Sequence, residues 1–174
     1  MHDPDKHGTH HEHKSQAPAS VACFVVTSSD TRDEKSDSSG ALICELLTGA
    51  GHTVAGRAIV KDEPAQLAEV LEKQATAAKA QAVIISGGTG LGRRDTTVET
   101  LAARLEKRLD GFGELFRALS FQEIGTPAMM SRAVAGTFRG MIVFALPGSP
   151  AAARLALARL ILPELGHAVR EITR

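Results

Sequence analysis

The chain has 174 residues, and 20 Lys and Arg balance 20 Asp and Glu for a formal charge of zero. That balance argues against non-specific nucleic-acid binding through net charge. The absence of Trp and Tyr removes the usual stacking platforms for bases. Hydrophobic residues make up 43% of the chain, enough for one real core, and the apolar runs are too short to span a membrane.

The stretch MHDPDKHGTHHEHK opens the chain without an apolar h-region, so the sequence reads as lacking a secretory signal. Residues 1–18 are polar and hold His2, His7, His10, His11 and His13. A disordered extension is expected there, with metal binding as the other reading. Cys23 and Cys44 lie in apolar segments and form no close ligand pair, which suits reduced thiols in a cytoplasmic protein.

From residue 19 onward, strands and helices alternate. VACFVVT (21–27) is a continuous β-rich apolar run, as a strand buried on both faces requires. The polar loop SSDTRDEKSD leads to a helix from Ser38 to Leu47, closed by Gly49 and Gly51. Thr53–Val60 is a second strand. Pro64 opens a helix over about 63–79, and AVIIS (82–86) is a third strand. After GGTGLGRRD, a helix is expected over about 98–109, with Thr97 as its cap. Residues 112–121 read as a helix. Residues 132–138 and 141–146 read as a hairpin around Arg139-Gly140, and a last helix covers about 149–172, broken or kinked at Pro163. This order predicts one α/β domain with a mainly parallel sheet and one antiparallel strand.

Ligands of open α/β sheets bind beyond the carboxyl ends of the strands. Four loops therefore meet on one rim: Thr27-Ser28-Ser29-Asp30, Lys61-Asp62-Glu63, Gly87–Gly92 with Arg93-Arg94-Asp95, and Pro147-Gly148-Ser149. The run GGTGLG fits neither the dinucleotide fingerprint nor the P-loop. It reads either as a phosphate cradle of backbone N–H groups or as a tight turn without a ligand. Asp62 and Asp95 read either as a pair facing Mg²⁺ and phosphate or as acids at helix N-termini. Lys61, Arg32, Arg93 and Arg94 are candidate phosphate partners, with Arg32 favoured as a surface residue. Ser149 reads as a helix cap or part of an oxyanion turn. Composition gives Ser131 and Arg132 no role.

The segments TSSDTR (27–32), VKDE (60–63), SGGTGLGRRDTTVE (86–99), GFGELFRALSFQEIGT (111–126), SRAVAG (131–136) and LPGSP (146–150) together resemble the MogA/MoaB family of molybdenum cofactor biosynthesis, and its MoaB branch most. The resemblance covers about residues 21–165. It implies a three-layer α/β/α fold over residues 19–174, usually assembled as a homotrimer or hexamer. It implies molybdopterin as ligand and ATP as co-substrate with Mg²⁺, for transfer of AMP to the terminal phosphate. The product is then passed to a molybdenum-inserting protein. Asp62 and Asp95 match the family's catalytic acids, also taken as the metal ligands. Thr27, Ser28, Asp30, Gly87, Gly88, Thr89 and Gly90 match phosphate-binding segments. Ser131, Pro147, Gly148 and Ser149 match the pterin-facing wall. Val98 departs from the proline often found there, while Glu99 keeps the acid. The alternative is a carrier that binds molybdopterin without transferring AMP.

Overall fold

The computed structural model describes residues 17–174. The expected tail therefore falls outside the described residues except for Ala17 and Pro18, which lie against Gly166. The elements in order are β1 (Ala22–Ser28), α1 (Ser38–Gly49), β2 (Thr53–Val60), α2 (Pro64–Ala77), β3 (Ala82–Ser86), α3 (Thr97–Ala102), β4 (Lys107–Arg108), α4 (Asp110–Ile124), a 3₁₀ turn (Thr126–Met130), β5 (Val134–Phe138), β6 (Met141–Leu146), α5 (Pro150–Ala156), a π turn (Leu157–Ile161) and α6 (Leu162–Ile172). They build a six-stranded sheet of order β2-β1-β3-β6-β5-β4.

β1, β2, β3 and β6 run parallel, and β5 pairs antiparallel with both β6 and β4. The hairpin between β5 and β6 turns at Arg139 (φ 45°) and Gly140 (φ 78°), the two positive values that a tight two-residue turn needs. β3 lies between β1 and β6, and every one of its residues is buried.

The period of two decides which layer each strand residue feeds. Val25, Ile84 and Phe144 face one side, where Ile43, Leu47, Phe116, Leu157 and Leu165 cover them. Val26, Ile85 and Val143 face the other, under Leu67, Leu71 and Leu101. The sheet is thus the middle of three layers. Each fully buried Leu or Ile stabilises it by about 2 kcal/mol.

Three expectations need correction. The helix read over 98–109 stops at Ala102, and Lys107–Arg108 instead pairs with β5 as a short edge strand. Leu101, Leu105 and Leu109 share a helical spacing, but sheet pairing overrides it. Thr96, not Thr97, occupies the cap of α3, and Thr97 is the first helical residue. The last helix does not simply kink at Pro163. The π turn precedes it, and Leu162 N–H bonds to Leu157 O, five residues back.

Candidate ligand cleft

The carboxyl ends of β1, β2, β3 and β6 open into a cleft of about 500 Å³. Its walls contain Thr27, Ser28, Asp62, Gly87, Gly88, Thr89, Gly90, Asp95, Ser131, Pro147, Gly148 and Ser149. Of the residues singled out from sequence, Asp30 is absent from the lining, and so are the candidate phosphate partners Lys61, Arg93 and Arg94.

The glycine loop leaves β3 under tight constraint. Gly87 N–H donates to Leu146 O at 3.0 Å, and Thr97 N–H donates to Gly88 O at 2.9 Å. Gly87 (φ 101°) and Gly88 (φ 62°) adopt backbone conformations that side chains resist. A Cβ at Gly88 would stand 2.8 Å from Asp62 Oδ1, and one at Gly90 would stand 2.7 Å from Asp95 Oδ2. Among the described residues, the N–H groups of Gly88, Thr89 and Gly90 donate to no acceptor. Three successive unpaired amides beside a cleft form a concavity suited to an anion.

Each acid is held in place by a local bond. Ser28 Oγ donates to Asp62 Oδ1 at 2.8 Å, and Gly92 N–H donates to Asp95 Oδ2 at 2.9 Å. Asp30 lies just behind them. It accepts from Asp62 N–H at 3.2 Å and from Arg94 Nε at 3.0 Å. Arg94 also reaches Glu63 at 2.5 Å. The Arg94 hydrogen bond holds the Asp30 carboxyl below the usual range. Arg94 is therefore engaged by acids rather than free for a ligand.

Serine 149 Oγ accepts from Ala152 N–H at 3.1 Å, so its capping role is realised while it also lines the cleft. Ser39 Oγ donates to Gly148 O at 2.7 Å and ties that turn to α1. Arg32, read from sequence as a surface residue, lines the cleft; its Nη1 donates to Ser36 O at 2.7 Å.

Two further residues escaped the sequence reading. Asp37 is 3% exposed and caps α1 by accepting from Gly40 N–H at 2.9 Å. Its other oxygen takes bonds from Thr27 Oγ1 and Arg57, each at 2.5 Å. Burial pushes this carboxyl up, but those three donors outweigh burial and hold it below the usual range. The signal was the D-S-S-G start of α1, since Asp is a preferred cap. Arg132 grips the glycine loop from outside, donating to Thr89 O at 2.8 Å and Gly90 O at 2.7 Å.

The lining offers carboxylate, hydroxyl and amide groups but no imidazole or thiolate. That donor chemistry suits a hard cation such as Mg²⁺ next to phosphate oxygens. Ser86 also borders the cleft, and its buried Oγ has no hydrogen-bond partner among the described residues. Among the described residues, no cluster of three or more His, Cys, Asp or Glu exists to cage a metal without substrate oxygens.

A family model described as "Probable molybdopterin binding domain" matches residues 23–167. The chain belongs to this molybdenum cofactor biosynthesis family. Molybdenum cofactor biosynthesis protein B of Halalkalibacterium halodurans is 49% identical over 164 residues, covering 94% of this chain and 96% of the relative. The Bacillus subtilis protein of the same name is 46% identical over 94% of this chain and 96% of its own. The crystal structure of the tungsten cofactor synthesizing protein MoaB from Pyrococcus furiosus superposes with a TM-score of 0.81 at 36% identity, covering 91% of this chain and 100% of that one. A MogA structure superposes at 0.77 with 28% identity, over 87% of this chain and 99% of MogA. The MoaB-family fold thus extends over nearly all the described residues. No helix among them is long and apolar enough to cross a membrane.

Proposed function

We propose that this MoaB-family protein binds molybdopterin in the cleft and transfers AMP to its terminal phosphate from Mg-ATP. The observation that carries the reading is the meeting of three unpaired amides, Gly88 to Gly90, with the Asp62 and Asp95 carboxylates in one cleft.

In the reaction, an oxygen of the molybdopterin phosphate attacks the α-phosphorus of ATP. A new phosphoanhydride bond forms, the bond between α-phosphorus and bridging oxygen breaks, and its electron pair leaves with pyrophosphate. No general base is needed, because a phosphate monoester is already ionised at neutral pH. The obstacle is electrostatic: two unit charges 4 Å apart repel by about 4 kcal/mol at an effective dielectric of 20. Amides aimed at the oxygens offset that repulsion, and holding both phosphates in line supplies much of the remaining acceleration. Arg32, the one cation lining the cleft among the described residues, adds positive charge. Asp62 and Asp95 would hold Mg²⁺, which when bound neutralises phosphate charge.

The assay is direct. Purified protein with molybdopterin and Mg-ATP should yield adenylylated molybdopterin and pyrophosphate in equal amounts. Asp62→Asn and Asp95→Asn should each lower the rate by about 100-fold. Unchanged rates in both variants would overturn the mechanism. A carrier would instead bind molybdopterin with no magnesium-dependent nucleotide heat in calorimetry.

Assembly as a homotrimer or hexamer, and delivery of the product to a molybdenum-inserting protein, belong to the same proposal. Exposed Leu115, Phe121, Ile124, Met129 and Met130 on α4 and the following turn support a surface that seeks cover. A monomer in sedimentation at micromolar concentration would count against assembly.

A further inference from the structure

We infer that Arg132 is the positioning residue at the Gly90 end of the phosphate loop, where it orients the N–H groups of Gly90 and Leu91. It does not line the cleft. Its guanidinium approaches the glycine loop from behind and donates to two consecutive carbonyls, Thr89 O at 2.8 Å through Nε and Gly90 O at 2.7 Å through Nη2.

The consequence follows from peptide geometry. In a trans peptide the C=O and the next N–H point in opposite directions, and no cis peptide is present among the described residues. Holding Thr89 O therefore sets the direction of Gly90 N–H, and holding Gly90 O sets that of Leu91 N–H. Both amides then point away from Arg132. Without this grip, glycine-rich backbone can rotate those planes and present carbonyl oxygens to an anion. A carbonyl facing phosphate repels it, whereas an amide attracts it. Arg132 so decides the sign of the loop's local dipole.

Glu99 completes the device. It accepts from Arg132 Nη1 at 2.5 Å and from Nη2 at 3.3 Å, so both ends of the fork are fixed. Glu99 belongs to α3, the helix that the loop enters, and Arg132 precedes β5. The neighbouring Ser131 lines the cleft. One side chain thus joins the phosphate loop, the helix after it and the opposite wall. A lysine keeps the charge but cannot span two carbonyls and a carboxylate with a planar fork.

This inference rests on reading the loop as a phosphate cradle, and inorganic pyrophosphate tests it apart from AMP transfer. Calorimetric titration with pyrophosphate and Mg²⁺ should show binding to the wild-type chain. Arg132→Ala should weaken it by about 10- to 100-fold, and Arg132→Lys should recover only part. Guanidinium ion at low, non-denaturing concentration should restore binding to Arg132→Ala and do nothing for the wild type, an effect that a merely structural role would not produce. Glu99→Gln keeps the carbonyl bonds and should cost less than Arg132→Ala. Wild-type affinity in both Arg132 variants overturns the inference, as does a loss that guanidinium leaves untouched. A wild-type chain that binds no pyrophosphate overturns it too. If pyrophosphate binds with this pattern while no AMP is transferred, the positioning role stands and the transferase reading falls.

Discussion

Arg94 Nε lies 3.0 Å from Asp30 Oδ2, and this contact joins the loop after β1 to the loop that carries Asp95. The same Asp30 takes a hydrogen bond from Asp62 N–H. Two cleft acids in different loops are thereby referred to one exposed ion pair. Arg94 and Asp30 side chains are 57% and 35% accessible, so the pair contributes less than about 1 kcal/mol to folding. Its worth is geometric. Arg94→Ala should leave the thermal midpoint within about 3 °C of wild type and lower AMP transfer about tenfold. A rate equal to wild type would show that the clasp does not position the acids.

Replacing Gly88 should be harsher. Its positive φ and the nearby Asp62 Oδ1 leave no room for a methyl group. Gly88→Ala should destabilise the fold by about 1–3 kcal/mol and abolish phosphate binding. Gly90 has an ordinary φ, so Gly90→Ala should act mainly by pushing Asp95 aside, with activity falling more than stability. Thermal melts beside the transfer assay separate the two.

Asp37 predicts a loss of stability rather than of chemistry. Removing it strips α1 of its cap and leaves Arg57 half-buried without its carboxylate. Asp37→Ala should cost about 3 kcal/mol, near 10 °C in midpoint for a chain of this size. A change below about 1 kcal/mol would refute the buried network.

Acid should unfold the protein in two stages. Burial holds the His52 imidazole below its ordinary pKa, and its Nδ1 accepts from Val21 N–H at 3.2 Å, which only the unprotonated nitrogen can do. The unfolded chain thus binds this proton more readily, so stability falls as pH drops below about 6.5. Asp37 and Glu99 have carboxyls held low, Glu99 by Arg132, so their contribution is present above about pH 4 and is lost below it. Midpoints measured from pH 8 to pH 3 should show both steps, and His52→Asn should flatten the first.

Burial pushes the Cys23 thiol up to about 12. It should resist alkylation at neutral pH in the folded protein and react only on unfolding. Labelling of Cys23 in native buffer would contradict its position in the core.

The strands that set the rim were legible because they are buried on both faces. β3 (AVIIS) has no polar residue until its end, and nothing but a central strand accommodates that run. The rim loops followed from the strand ends, which is why Asp62, Asp95 and the glycine loop emerge together. The helix read past Ala102 failed because Leu105 and Leu109 continue a spacing that the chain abandons for pairing with β5. The D-S-S-G cap at Asp37 is a local signal, but its bond to Arg57 and the role of Arg132 were illegible for a different reason. The partners lie 20 and 42–43 residues away in sequence, at Arg57 and at Thr89 and Gly90. No local pattern records a contact of that range. Arg94 shows the converse: a charge beside the glycine loop looks available to a ligand until Asp30 and Glu63 are seen to claim it.

The π turn before Pro163 works as a phase shifter in the closing rod of the molecule. Leu157, Ile161, Leu165 and Val169 recur every fourth residue, and all four are buried in the same layer. In an unbroken α-helix such a series drifts about 40° per step around the axis. The wide turn absorbs the surplus residue and brings the later side chains back over the sheet. Shortening the chain by one residue there would swing Leu165 and Val169 about 100° toward water, while Ser149, on the near side of the joint, would keep its place at the cleft.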